Sequence, residues 1–289
     1  PEPIKSRLSF SDTGALILAH ISISRSSSRA ELDDFFARTL YSRQFNPPDI
    51  SNSLEELERS GFIKMQKNGR YRATSLGKLV SELYISPSTA ENFIKSLPQI
   101  KSERDLTLPL ICLASQSEDI DPQLSASESD EKEIQYILED EPGLLKYIHQ
   151  YECTRSFLGL YAWVNELSEQ EILDRYRIDP GDLFRLTESA EWLAYSYLRL
   201  GRMFGLDVKK FETAIYRIKY GIREELVELV RVEGIGRRRG RALYNAGIRS
   251  LSELAMADPK NLEKIRGIGP ELAARIIREA RKIAFSTGR

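Results

Sequence analysis

Two stretches near the end of the chain hold the residues best suited to chemistry. VEGIGRRRGRALYNAGI (232–248) sets Gly234 and Gly236 ahead of Arg237, Arg238, Arg239 and Arg241. IRGIGPELAARI (265–276) repeats the outline 33 residues later with Gly267 and Gly269. Each runs hydrophobic–x–Gly–hydrophobic–Gly into a helical pattern. Glycine allows a tight turn and a close approach of backbone to a ligand. The helix that follows aims unbonded N–H groups, and the favourable end of its dipole, at an anion. The chemistry on offer is therefore phosphate binding, with four arginines around the first turn.

One Gly-x-Gly arises by chance, whereas two in matching phase mark a pair of helix-hairpin-helix motifs. The competing reading, hairpins kept for packing alone, weighs more for the second copy, which has Pro270 and Glu271 where the first has Arg237 and Arg238. Each helical residue steps about 100°, so Arg237 and Arg241 share a face and Arg238 lies to one side. Two or three of the arginines are expected to reach a phosphate backbone, the rest to be solvated. Nothing in the pattern reads bases.

A second set sits on DPGDLFRLTESAEWLAYSYLRLGRMF, which the capping residue Asp179, Pro180 in the first turn and Asp182 near the dipole predict to be a helix. Leu183, Leu186, Ala190, Ala194, Tyr197, Gly201 and Phe204 fall in one apolar sector. Trp192 falls opposite, on a face shared with Arg185, Glu188, Ser196 and Arg199. A tryptophan there either contacts another domain or offers a stacking platform to an unpaired base, with arginines on the phosphates.

The elements that must position these groups follow from pattern. Residues 12–85 read as helix, helix, helix, hairpin. A capping box is expected at Ser28 and Glu31, a helix over 49–60 closing at Gly61, and a hairpin centred on Asn68–Gly69. That order, ending in Thr-x-Leu-Gly, is a winged helix-turn-helix. Its recognition-helix position carries four acids against one arginine, so it suits a structural role better than contact with phosphates. Residues 86–225 read as a helical bundle, broken by SQSEDIDPQLSASESDEKE (115–133), an acidic, serine-rich stretch expected to be a solvated loop. The expected class is mainly α: a winged helix with a small hairpin wing (1–90), a helical bundle (91–225) and a paired helix-hairpin-helix domain (226–289).

Net charge is −1, but residues 226–289 hold 14 basic against 7 acidic side chains, leaving 28 against 36 in the first 225. A basic end on an acidic body points to a polyanionic partner. Hydrophobic residues at 41% and charged residues at 29% fit a globular protein, and no apolar run reaches membrane-spanning length. Cys112, Cys153 and two histidines offer no metal-ligand spacing. Phosphate-binding-loop, nucleophile-elbow and metal-carboxylate patterns are all missing, so the expectation is no cofactor and no active site in this chain. A reduced cytoplasmic, nucleoid-associated setting is expected, and the opening Pro1 suggests a fragment of something longer.

The order winged helix, bundle with an exposed tryptophan, paired hairpins resembles the C-terminal half of archaeal Hjm/HelQ-type superfamily 2 DNA helicases. PEPIKSRLS, YRATSLGKLVSELYISPSTA, PGDLFRLTESAEWL and GIGRRRGRALYNAGIRSLSEL carry the resemblance. The acidic stretch at 115–133 departs from it. The resemblance implies a DNA-binding, non-motor portion of an ATP-dependent 3′–5′ helicase acting at replication forks and recombination intermediates. RecA-like motor domains, with ATP and Mg, would lie elsewhere in the parent chain, and replication or recombination proteins are further implied partners. It implies that Trp192 stacks on a base of single-stranded or forked DNA beside Arg185, on a ratchet helix, and that the last domain grips the exiting strand and restrains the motor.

Two other classes compete: a winged-helix transcription regulator, against which the acidic recognition helix counts, and a scaffold for DNA-repair factors. The purified chain is expected to show no DNA-stimulated ATP hydrolysis. A coupled-enzyme assay showing turnover that survives repurification would contradict that expectation.

Overall fold

The structure, a computed structural model, describes residues 6, 10–148 and 154–286. Cys153 and, apart from Ser6, the PEPIKSRLS stretch lie outside the described residues. The fold is mainly α, with a small three-stranded sheet. The chain packs into two compact units: Pro1–Lys101 with Ser117–Asp119 and Ser196–Leu206, and Ser102–Gln116 with Ile120–Tyr195 and Asp207–Arg289.

The first unit runs α1 (Phe10–Ser24), β1 (Ser27–Ser28), α2 (Arg29–Ala37), α3 (Leu40–Gln44), α4 (Ser51–Arg59), β2 (Ile63–Met65), β3 (Arg70–Ala73), α5 (Ser75–Leu83), α6 (Pro87–Lys95) and α7 (Leu97–Ser102). The strands are antiparallel in the order β1–β3–β2, with Ser27 opposite Tyr71 and Ile63 opposite Ala73. Ile17, Leu18, Ile21, Leu32, Phe36, Leu54, Leu57, Phe62 and Val80 form the buried centre. The capping box is present, Ser28 Oγ accepting from Glu31 N and the Glu31 carboxylate from Ser28 N. In the wing, Gly69 N donates to Gln66 O and Gly69 takes the left-handed φ of +72° that lets the strand return. β1 had no pattern of its own; two serines acquire strand geometry only by pairing with β3.

Thr-x-Leu-Gly, residues 74–77, closes the sheet onto α5. Thr74 N donates to Phe62 O, its hydroxyl donates to Gly61 O, and the same oxygen accepts from Gly77 N to cap the helix. Gly77 then lies against the Phe62 carbonyl so closely that a Cβ would stand 2.0 Å from that oxygen. In the same unit, the end of a long helix brings Tyr197 flat against Phe93, centroids 4.8 Å apart and planes 5° apart.

The second unit runs α8 (Thr107–Ser115), α9 (Glu128–Asp140), a 3₁₀ turn (Pro142–Tyr147), α10 (Arg155–Val164), α11 (Glu169–Tyr176), the long α12 (Pro180–Met203) whose last turns belong to the first unit, and α13 (Val208–Tyr220). It continues through a 3₁₀ turn (Glu224–Leu226), α14 (Val227–Val230), α15 (Arg237–Asn245), α16 (Leu251–Met256), α17 (Pro259–Leu262) and α18 (Pro270–Ser286). α8 is largely apolar, and every residue but Leu108 is buried. Arg217 of α13 is buried beside it, its Nη1 donating to Asp105 Oδ2 at 2.6 Å and Thr107 Oγ1 at 3.1 Å. Ile222, Leu226, Leu229, Ile235, Leu243, Leu254, Ile268 and Ile276 form a separate cluster for the last 60-odd residues.

The expected solvated loop at 115–133 needs correction. Glu128–Glu133 open α9, because Ser127 and Asp130 form a reciprocal cap and Glu128, Asp130 and Glu131 sit in the first turn, where acids favour the dipole. Ile120 is buried, and Asp130 is buried against Arg155 at 3.0 Å. Residues 116–126 do form an irregular loop, though with Ser117 and Ile120 buried, while 127–133 are a cap and a first turn.

Gly77→Ala is expected to cost about 3 kcal/mol, since overpacking here presses on backbone that cannot yield. Urea denaturation followed by circular dichroism measures it, and a loss below about 1 kcal/mol would show that the α5–Phe62 contact is looser than described.

Candidate nucleic-acid interface

The tandem is built from two equivalent turns. Val232 N donates to Leu229 O and Ile235 N to Val232 O; 33 residues on, Ile265 N donates to Leu262 O and Ile268 N to Ile265 O. Gly234 and Gly267 take φ of +89° and +86°, a region closed to most side chains. Ile235 and Ile268 plug the core at 2% and 3% exposure. Gly240 N and Ala273 N close the first helical bonds, onto Gly236 O and Gly269 O. No side chain caps α15, and a Cβ on Gly236 or Gly269 would meet nothing within 4 Å. Both helix entrances are open to a ligand.

The four arginines of α15 point three ways. Arg237 and Arg241 face the end of α10, Arg239 faces the second hairpin, and Arg238 is exposed with no acidic partner among the described residues. The expectation that 237 and 241 share a face is met, but the face is turned to protein. Arg237 Nη2 donates to Leu167 O at 2.6 Å, and its guanidinium stacks over the Trp163 ring at 4.9 Å. Burial pushes this guanidinium below its ordinary pKa, against the pull of Glu166, Glu171 and Glu169. Arg241 donates Nε to Glu166 Oε2 at 2.8 Å and Nη2 to Glu166 Oε1 at 2.6 Å, with Glu225 Oε1 at 2.8 Å. Hydrogen bonds to Glu166 hold Arg241 well above its ordinary value.

The receiving socket is the last turn of α10, where Glu166 N bonds back to Trp163 O and Leu167 N to Ala162 O. Glu166 therefore occupies the left-handed position, φ +69°, usually filled by glycine. That backbone costs about 1 kcal/mol or more in strain and presents the carboxylate to Arg241 and to Arg223 N at 3.0 Å. Burial raises the Glu166 pKa, but the bonds from Arg241 and Arg223 outweigh it and leave the group below the ordinary glutamate value. Trp163 is fixed in turn: its Nε1 donates to Ile218 O at 2.8 Å, and a Cβ on Gly221 would stand 2.3 Å from its ring. Glu166, Glu225 and Trp163 escaped sequence reasoning. Their partners are distant in sequence, and a glutamate at a glycine position leaves no mark.

On α12, Leu183, Leu186, Ala190, Ala194 and Tyr197 are buried as expected, and Gly201 with them. Phe204 is not; it lies past the helix and is 44% exposed. Ser196, expected on the polar face, is fully buried, as are Leu193 and Leu200, while Tyr195 and Met203 of the same half are exposed. Trp192 is half-buried rather than exposed, Arg199 half-buried, and Arg185 exposed. Arg185 pairs with Asp182 Oδ1 at 2.8 Å and Asp121 Oδ2 at 3.2 Å. Among the described residues no helix is long and apolar enough to cross a membrane, and no cluster of His, Cys, Asp or Glu could hold a metal ion.

Residues 108–221 match the family model for archaeal helicase domain 4, and residues 226–282 that for the SAM-like helix-hairpin-helix tandem. The chain is 37% identical over 268 residues to the ATP-dependent DNA helicase Hel308 of Thermococcus kodakarensis, covering 86% of this chain and 24% of that protein. It is 35% identical to the Pyrococcus horikoshii Hel308 over 298 residues, covering 96% and 41%, and 36% identical to that of Caldivirga maquilingensis over 252 residues, covering 81% and 33%. The chain thus spans about a quarter to two-fifths of the length of these relatives. It belongs with the archaeal superfamily 2 helicases and falls within their C-terminal half.

Glu166→Gln keeps the shape and removes the charge, and is expected to lower stability by about 2 kcal/mol at neutral pH. Because the native pKa is depressed, the carboxylate stabilises fully above the unfolded value of about 4.3 and loses that contribution as pH falls through the native value. Thermal melts of both proteins from pH 7 to pH 3 should therefore converge in acid. A constant gap would show that the charge is not what Arg241 reads.

Proposed function

We propose that this chain is the DNA-handling, non-motor portion of an ATP-dependent DNA helicase, binding a single strand at replication forks or recombination intermediates. The twin glycine turns carry the reading: two open helix entrances, related by a 33-residue repeat, at the basic end of an acidic chain. Open amides and a dipole at each entrance suit phosphates. Arg238 supplies charge at the first, and Gly236 and Gly269 leave room for backbone to approach.

In this reading, residues 1–90 form the winged-helix domain, 91–225 the ratchet bundle and 226–289 the strand-gripping tandem. α12 lies along the strand, with Trp192 stacking on a base and Arg185 and Arg199 near phosphates. Phosphate would compete with Asp121 and Asp182 for Arg185, so that contact is made by exchange of ion pairs. The RecA-like motors, with their ATP and Mg, belong to the rest of the parent protein, and replication or recombination proteins are its proposed partners. A sequence-reading winged helix is disfavoured, because α4 presents exposed Glu55 and Glu56 where phosphates would lie, and Glu58 accepts from Met65 N at the wing.

Trp192→Ala is expected to cost about 1–3 kcal/mol in single-strand binding, measured by fluorescence anisotropy of a labelled oligothymidine. Duplex binding should suffer much less, because paired bases present no free face. Equal loss on both substrates, or unfolding of the variant, would place the indole in packing and remove it from the strand.

A further inference from the structure

Arg239 is directed across the tandem. Its Nε donates to Gly267 O at 2.9 Å and its Nη1 to Gly234 O at 2.8 Å. The acceptors are the carbonyls of the two left-handed glycines, which occupy equivalent positions in the repeat. One guanidinium thus sits almost equidistant between repeat-related atoms. Its own counterpart, 33 residues on, is Leu272, and the two behave reciprocally. A Cβ on Gly234 would stand 3.1 Å from Leu272 Cδ1, and a Cβ on Gly267 would stand 3.9 Å from Arg239 Nε. The third residue of each hairpin helix therefore rests on the glycine turn of the other. One does so by packing, the other by bonding.

We propose that Arg239 is a positioning residue: it fixes the spacing and mutual angle of the two glycine turns, so that a phosphodiester strand meets both entrances in one preset arrangement. This rests on the DNA-binding reading above and removes Arg239 from the direct phosphate contacts that its place in RRRGR suggests. A planar guanidinium can hold two carbonyls at fixed angles through different nitrogens, which an ammonium on a flexible stem cannot. Charge alone is then not enough. Two bonds from a charged donor, lost together, should release the turns they tie while the apolar cluster keeps the tandem folded.

The test uses the whole chain with Arg239→Lys and Arg239→Gln. Hydrogen exchange without DNA should show the amides of 234–236 and 265–269 exchanging about tenfold faster in both variants, with Leu243 and Ile276 unchanged. Affinity for an oligothymidine, measured across a salt series, should fall equally in both variants, with the slope of log affinity against log salt unaltered. Wild-type affinity in Arg239→Lys together with a slope flatter by about 0.7 in Arg239→Gln would make Arg239 a phosphate contact and overturn the proposal. Unchanged exchange at the turns, or exchange raised throughout the tandem, would overturn it as well. If the wild-type chain binds no DNA, the DNA reading fails by itself, and the exchange arm still decides the brace.

Discussion

The pairing of Glu166 with Arg241 is the contact on which the arrangement of the second unit depends. A guanidinium keeps its charge at any pH a protein survives, so each arginine of α15 needs an acceptor, an aromatic face or water. The last turn of α10 supplies the first two, through a carboxylate held in a left-handed conformation, the Leu167 carbonyl and the face of Trp163. Because Arg237 and Arg241 are one turn apart, both can be received at once. The tandem is thereby fixed to the bundle by charged and aromatic contacts in addition to the apolar cluster, against which Tyr216 and Tyr220 of α13 pack.

That attachment divides labour within a cluster that looks uniform. Around α15, Gly240 and Leu243 face the apolar cluster, Arg237 and Arg241 the α10 socket, and Arg239 the second hairpin. Only the sector of Arg238 looks outward. The helix entrance stays open because Gly236 brings no side chain to cap it. A basic hairpin can then serve as an anion-facing surface and as a structural plug, provided the two uses occupy different faces of one short helix.

Much of this was legible in the order of residues. The paired turns, the helix that follows the first of them, the Ser28–Glu31 cap and the wing at Gly69 follow from local chemistry, in which each signal lies within a few positions of its effect. Features depending on distant partners were not. Ser196 looks polar on a helical wheel yet is buried, since a wheel cannot show what encloses it. The acids of 128–133 read as a solvated loop because a reciprocal cap and a buried ion pair with Arg155 are invisible in composition. The three arginines turned to protein needed Glu166, Leu167 and Gly267, up to 75 residues away, to reveal their direction.

The central claim is that one arginine of the four faces the strand while the others hold the tandem in place. Its most direct test is the salt dependence of single-strand affinity for Arg237→Ala, Arg238→Ala and Arg241→Ala, each checked for retained fold. Arg238→Ala should flatten the slope of log affinity against log salt by about 0.7, the value for one phosphate contact on a single strand. Arg237→Ala and Arg241→Ala should lower the melting temperature and leave the slope as it was. Equal flattening by all three, with unchanged melting, would show that the arginines leave their protein partners for phosphate and would contradict the account.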